Sequence, residues 1–133
     1  MLKALAGIEL FQGMGLNALR SLLAELSWVS LTAGEQLIRQ DEDGDALYVL
    51  LNGRLRVTFT RDDGREYGIV EIGRGECVGE MSVLTGQLTT ANVYAIRDSN
   101  LIRLSKAAFH RFKEQHPAVL EQINRLIVRR IKN

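Results

Sequence analysis

The sequence predicts an α+β fold, mainly β, in which a helix precedes a set of short strands and further helices follow. Three observations carry this. Leu16, Leu19, Leu22, Leu23 and Leu26 recur at helical spacing near the start. From Trp28 to Ser105 short apolar runs are cut every 8 to 12 residues by glycine and aspartate, as in an all-β sandwich or roll. After Ser105 the helical spacing returns.

The first helix is placed at Asn17 to Leu26, with the Asn17 side chain as its N-cap. The strand region is marked out by Thr32-Ala33-Gly34, Asp43-Gly44-Asp45, Asn52-Gly53, Asp62-Asp63-Gly64, Gly73-Arg74-Gly75 and Thr85-Gly86. Ala46 to Leu51 is apolar almost throughout, as suits a central strand buried on both faces. From Arg54 to Thr60 the pattern alternates, with Leu55, Val57 and Phe59 inward and Arg54, Arg56, Thr58 and Thr60 outward. Ser105 caps a helix over Lys106 to His116 whose apolar face is Ala108, Phe109 and Phe112. Pro117 ends it and opens a second helix bearing a stripe from Val119 to Ile131. That stripe most simply packs on its own domain, and it also suits a homodimer contact.

At 133 residues the chain fits one domain, spanning 1–133: a helical segment over 1–27, the strands over 28–105, and the terminal helices over 106–133. The stripe stops unfinished at Asn133, so the chain is read as a piece of a longer protein. A composition of 46% hydrophobic and 25% charged residues with a formal charge of +1 gives no ground for nucleic-acid binding. A single cysteine, Cys77, excludes an internal disulfide and points to the cytoplasm. No apolar run is long enough to span a bilayer, and the segment Met1 to Glu9 reads as part of the fold rather than a leader.

Catalytic constellations are lacking in the sequence. Both histidines, His110 and His116, lie on the terminal helix, which leaves no strand-borne metal set. Asp41-Glu42-Asp43-Gly44-Asp45 lacks the spacing of a calcium loop and reads as a solvated turn. No serine sits in a Gly-x-Ser-x-Gly elbow, and Cys77 has no cationic neighbour to hold a thiolate. No catalytic and no metal residue is assigned.

Two motif blocks carry a resemblance. Val78-Gly79-Glu80-Met81-Ser82-Val83-Leu84, with Leu88-Thr89-Thr90-Ala91-Asn92-Val93 after it, resembles the phosphate-binding cassette of cyclic nucleotide-binding domains. Gly44-Asp45-Ala46-Leu47-Tyr48-Val49-Leu50, running on to Gly53, Leu55 and Val57, resembles a second pattern of the same family. Trp28-Val29-Ser30-Leu31 and Ala95-Ile96-Arg97-Asp98-Ser99 look most like the copies fused to patatin-like phospholipases of the neuropathy target esterase type. The resemblance implies an eight-stranded antiparallel β-roll (a double-stranded jelly roll) with flanking helices, a cassette over 78–93, and hinge helices over 106–133. It also implies a non-catalytic regulatory module that binds cAMP or cGMP and signals through its C-terminal helices to an attached effector domain.

The site residues implied are Gly79, Glu80, Met81, Ser82, Thr89 and Thr90. In the family, glycine at position 79 brings the backbone close to the sugar, and glutamate at position 80 accepts from the ribose 2'-hydroxyl. Backbone N–H groups around Met81 and Ser82 meet the phosphate. Thr89 stands where the family has the arginine that grips that phosphate, and strand parity with Ala91, Val93 and Ala95 points it inward. Losing two charged hydrogen bonds of about 1.5 to 3 kcal/mol each weakens binding on the order of 10² to 10⁴-fold. Three readings follow: weak cyclic-nucleotide binding, compensation by Arg74 or Arg97, or a degenerate roll used for docking or dimerisation.

Overall fold

The computed structural model describes residues 15–117 and Glu121. Its elements run α1 (Leu16–Glu25), β1 (Leu26–Leu31), β2 (Gln36–Ile38), β3 (Ala46–Thr60), β4 (Glu66–Ile72), β5 (Cys77–Val78), α2 (Glu80–Thr85), β6 (Asn92–Ser105) and α3 (Lys106–Gln115). All strand pairings are antiparallel: β1, β6, β3 and β4 lie in that order, β2 adds to β6, and β5 adds to β3. This is the mainly antiparallel roll with flanking helices that the sequence predicts.

Six strands are continuous among the described residues where eight are expected, because β3 and β6 are long. Their pairing slips register between Leu50 and Leu55, so each runs through a bend and each half serves as a strand of the roll. Asn52-Gly53, expected to separate two strands, lies inside β3 at this bend. Gly53 has φ of +103°, and a Cβ there would lie 2.1 Å from Ser99 Oγ. Ser99 in turn accepts from Arg54 N–H at 3.1 Å and donates to the Arg97 carbonyl at 2.8 Å, closing the backbone groups that the bulge leaves open.

The bend decides which way β3 points its side chains. Before it, Leu47 and Val49 face the helices with Ile102 and Leu104 of β6, in a core completed by Leu19 and Leu22 of α1 and by Ala108, Phe109 and Phe112 of α3. The intervening Leu50 faces the roll interior with Leu31, Val78, Val93, Ala95 and Leu101. After the bend Leu55 joins that interior although its parity is that of Leu47. Ala46 to Leu51 is therefore a central strand serving two cores, as its unbroken apolar run predicts.

Two local expectations change. The cap of α1 is Gly15 rather than Asn17, and the helix starts at Leu16, so Asn17 lies within its first turn. Thr58 is buried and Phe59 is 40% exposed, the reverse of the alternation expected. Between Val57 and Thr58 the pairing with β4 skips Ile69, and the buried Thr58 hydroxyl finds the Glu66 carboxylate at 3.1 Å. β4 ends the strand order and is exposed over most of its length, with Ile69 58% accessible. The helix after Ser105 forms as expected over Lys106–Gln115, with Ser105 Oγ accepting from Ala108 N–H at 3.2 Å. The Val119 to Ile131 stripe and the Met1 to Glu9 segment lie outside the described residues.

Phe109 is the largest side chain fully enclosed in the helix core. Phe109→Ala is expected to lower stability by about 3 to 5 kcal/mol, read as a shifted midpoint in chemical denaturation with an unchanged slope.

Candidate functional site

The cassette is placed by the short strand before it. Cys77 and Val78 pair with Val49 and Tyr48 in the middle of β3, which fixes where the chain leaves the sheet. Gly79 then turns it at φ of +85°, and a Cβ there would lie 2.6 Å from the Ala46 carbonyl oxygen. No other residue reconciles that backbone angle with so close an approach. The turn launches α2 beside β2, with the Ile38 side chain next to Gly79. Gly86 ends α2 in the left-handed conformation, its N–H on the Ser82 carbonyl.

Successive residues of α2 go to different places. Glu80 is buried at 5% exposure and Ser82 at 4%, while Met81 is exposed and Val83 enters the helix core beside α1 and α3. The Ser82 hydroxyl donates to the Gln87 carbonyl and stands against Gly44, where a Cβ would come within 2.2 Å of it. Its proton is therefore used inside the cassette.

Thr89 is buried, at 8% exposure, as expected, but for another reason. It precedes β6 rather than lying in it, and it is fastened to the loop before β3. Thr89 N–H donates to the Glu42 carbonyl at 2.8 Å, and its own carbonyl accepts from Asp41 N–H at 2.9 Å. The hydroxyl accepts from Glu42 N–H at 3.0 Å and donates to the Arg39 carbonyl. Asp41 holds φ of +64° to allow this, a conformation aspartate tolerates better than most residues. The turn 41–45 is thus solvent-facing, as expected, and is also the partner of the cassette. Beyond it the Asp45 carbonyl accepts from Lys106 N–H at 2.8 Å, which carries the connection to the start of α3.

Gly79, Glu80, Met81, Ser82, Thr89 and Thr90 line one cavity of about 90 Å³ with Ile38, Val57, Val78, Ala91 and Val93. All six residues implied by the resemblance therefore meet at one place. A second cavity of about 250 Å³ adjoins it through Ile38, Gly79 and Thr89, and is lined also by Arg39, Tyr48, Glu42, Asp43 and Asp45. Neither Arg74 nor Arg97 lines either cavity; Arg97 pairs with Arg54 at the bend and Arg74 sits in the turn before β5.

Behind the cassette a polar network joins β2, β3 and β6. Asn92 is buried, accepting from Gln36 and Gln40 and donating to Thr60 and Glu66. Glu66 also accepts from the Tyr94 hydroxyl at 2.6 Å, and that bond, with burial and the carboxylate's charge, pushes the Tyr94 hydroxyl above its ordinary pKa. Sequence reading missed Arg39 and Ile38 here, and it named Gly44 and Asn92 only as members of motif blocks, without their contacts, since each acts through a partner tens of residues away. Among the described residues no group of three or more histidine, cysteine, aspartate or glutamate side chains is placed to hold a metal ion, and no helix is long and apolar enough to cross a membrane.

Thr89→Val keeps the shape and removes the hydroxyl, leaving Glu42 N–H without its acceptor and the Arg39 carbonyl without its donor. The expected cost is about 1 to 3 kcal/mol in denaturant titration.

Comparison with known proteins agrees with this geometry. A family model described as "Cyclic nucleotide-binding domain" matches residues 28–116. Lysophospholipase nte1 of Aspergillus terreus is 36% identical over 108 residues, covering 81% of this chain and 7% of that protein, and Lysophospholipase NTE1 of Coccidioides immitis is 35% identical over the same shares. The chain thus spans a small fraction of the curated relatives it matches. Among solved structures, the regulatory subunit of a cAMP-independent protein kinase A from Trypanosoma brucei is similar at 27% identity and a TM-score of 0.84, over 93% of this chain and 46% of that one. The catabolite activator protein of Thermus thermophilus is similar at the same identity and score, over 93% and 58%. The roll, its cassette turn at Gly79 and these matches together place the chain in the cyclic nucleotide-binding domain family.

Proposed function

We propose that this domain is a regulatory ligand-sensing module that takes cAMP or cGMP weakly at Gly79, Glu80, Met81, Ser82, Thr89 and Thr90. It passes occupancy through α3 and the chain beyond to an attached effector domain in a longer, cytoplasmic protein. The observation that carries this is the position of α2. Glu80 and Ser82 line the cavity while Val83 shares an apolar core with Phe109 and Phe112 of α3. A ligand that shifts α2 meets the C-terminal helix through that core. The domain itself is non-catalytic, and the lysophospholipase relatives suggest a lipid hydrolase as the effector.

Weakness follows from Thr89. Its hydroxyl is engaged by Arg39 and Glu42, and it has no charge to offer a phosphate. A triple mutant of the Trypanosoma brucei subunit, 28% identical with a TM-score of 0.83, is bound to cAMP in its A site. Its three changes are glutamate to alanine, threonine to arginine and valine to alanine, with the same spacing as Ser82, Thr89 and Thr90 here. On that spacing Thr89 corresponds to the threonine that the cAMP-bound mutant replaces with arginine.

Calorimetric titration is expected to show saturable binding of cAMP or cGMP with a dissociation constant on the order of 1 mM or somewhat below. Thr89→Arg is expected to tighten it about 10² to 10⁴-fold. No heat and no thermal shift at millimolar nucleotide, in the wild type and in Thr89→Arg alike, would sink the sensor reading and leave the roll as a docking or dimerisation platform.

A further inference from the structure

We propose that Arg39 supplies the cation for the ligand's phosphate in this domain, in place of the arginine missing at position 89. The inference deepens the cyclic-nucleotide reading above and rests on it. Arg39 follows directly on β2, whose Ile38 side chain lies against Gly79, so its backbone is already at the cassette. Its carbonyl accepts the Thr89 hydroxyl proton. Arg39 lines the cavity of about 250 Å³ that adjoins the cassette cavity through Ile38, Gly79 and Thr89, and also the polar hollow next to it, where its charge acts on the Tyr94 hydroxyl.

Of the other arginines, Arg74 and Arg97 line neither cavity. Arg61, which lines the polar hollow, stacks on the Tyr67 ring at 4.4 Å. Arg54, Arg56, Arg103 and Arg111 are ion-paired. Arg39 is exposed, and among the described residues its guanidinium makes no ion pair and no side-chain hydrogen bond. Glu42, Asp43 and Asp45 line the same cavity and are exposed. Their charge disfavours an anion there and favours one at the Gly79 end, where a guanidinium anchored at residue 39 makes forked hydrogen bonds to phosphate oxygens. Thr89 is then a positioning residue: its hydroxyl holds the backbone from which the arginine reaches.

The test uses cAMP and adenosine, which differ by the phosphate, on the wild type, Arg39→Gln and an Arg97→Gln control. Arg39→Gln is expected to weaken cAMP about 10- to 100-fold, to flatten the salt dependence of that binding, and to leave adenosine affinity and the denaturation midpoint unchanged. In a Thr89→Arg background the effect of Arg39→Gln is expected to shrink toward zero, because the phosphate then has its own arginine. A wild type that binds cAMP while Arg39→Gln binds it equally well overturns the role of Arg39 and leaves the sensor reading standing. A loss of cAMP and adenosine affinity together also overturns it, since that marks a structural role. Absence of nucleotide binding in every variant overturns both.

Discussion

The antiparallel pairing of β3 with β6 is the constraint on which the rest depends. These two long strands run together from Ala46 against Ser105 to Thr58 against Asn92. Because side chains alternate across a strand, the first half of the pair sends Leu47, Val49, Ile102 and Leu104 to the helices and Leu50 and Leu101 into the roll. Two cores are thereby built back to back on one ladder. The slip at Asn52 to Arg54 then lets β3 turn Leu55 inward without breaking the pairing. Burial on both sides makes slippage of the first half costly, since moving one residue would exchange the contents of the two cores.

From that ladder the cassette follows by short covalent distances. β5 docks on the middle of β3, Gly79 turns the chain, and α2 lands with Val83 in the helix core and Glu80 and Ser82 on the cassette cavity. The loop 39–45 closes the arrangement from the opposite side, bound to Thr89 at one end and to the start of α3 at the other. Backbone hydrogen bonds do most of this closing, so it depends on chain geometry more than on the identity of the exposed acidic residues.

What could be read from the sequence was whatever depends on near neighbours. The apolar run Ala46 to Leu51, the Ser105 cap and the face of Ala108, Phe109 and Phe112 involve residues within a turn or two of one another. The six cassette positions were also legible, because the motif is local. Thr58 and Phe59 were misread because their facing is set by the omission of Ile69 from the partner strand's register. Asn17 was misread as a cap because the helix starts before it, at Leu16, after a glycine that makes no side-chain cap hydrogen bond. Thr89 was placed inward by strand parity, yet what holds it inward is a loop about 50 residues upstream, and no periodicity encodes that contact. Arg39 was invisible for the same reason.

Gly44 and Ser82 touch so closely that the space for a methyl group on one is already filled by the other. Position 82 belongs to the cassette and position 44 to the motif that opens the central strand, so the two blocks are packed against each other at this point. Bulk cannot be added at 44 while any Cβ remains at 82, since Ser82 Cβ itself would lie 2.4 Å from the new atom. Loss of the serine hydroxyl alone does not free the site. As long as position 82 carries a side chain, glycine at 44 is therefore a requirement of the cassette's own packing, whatever chemistry that side chain has.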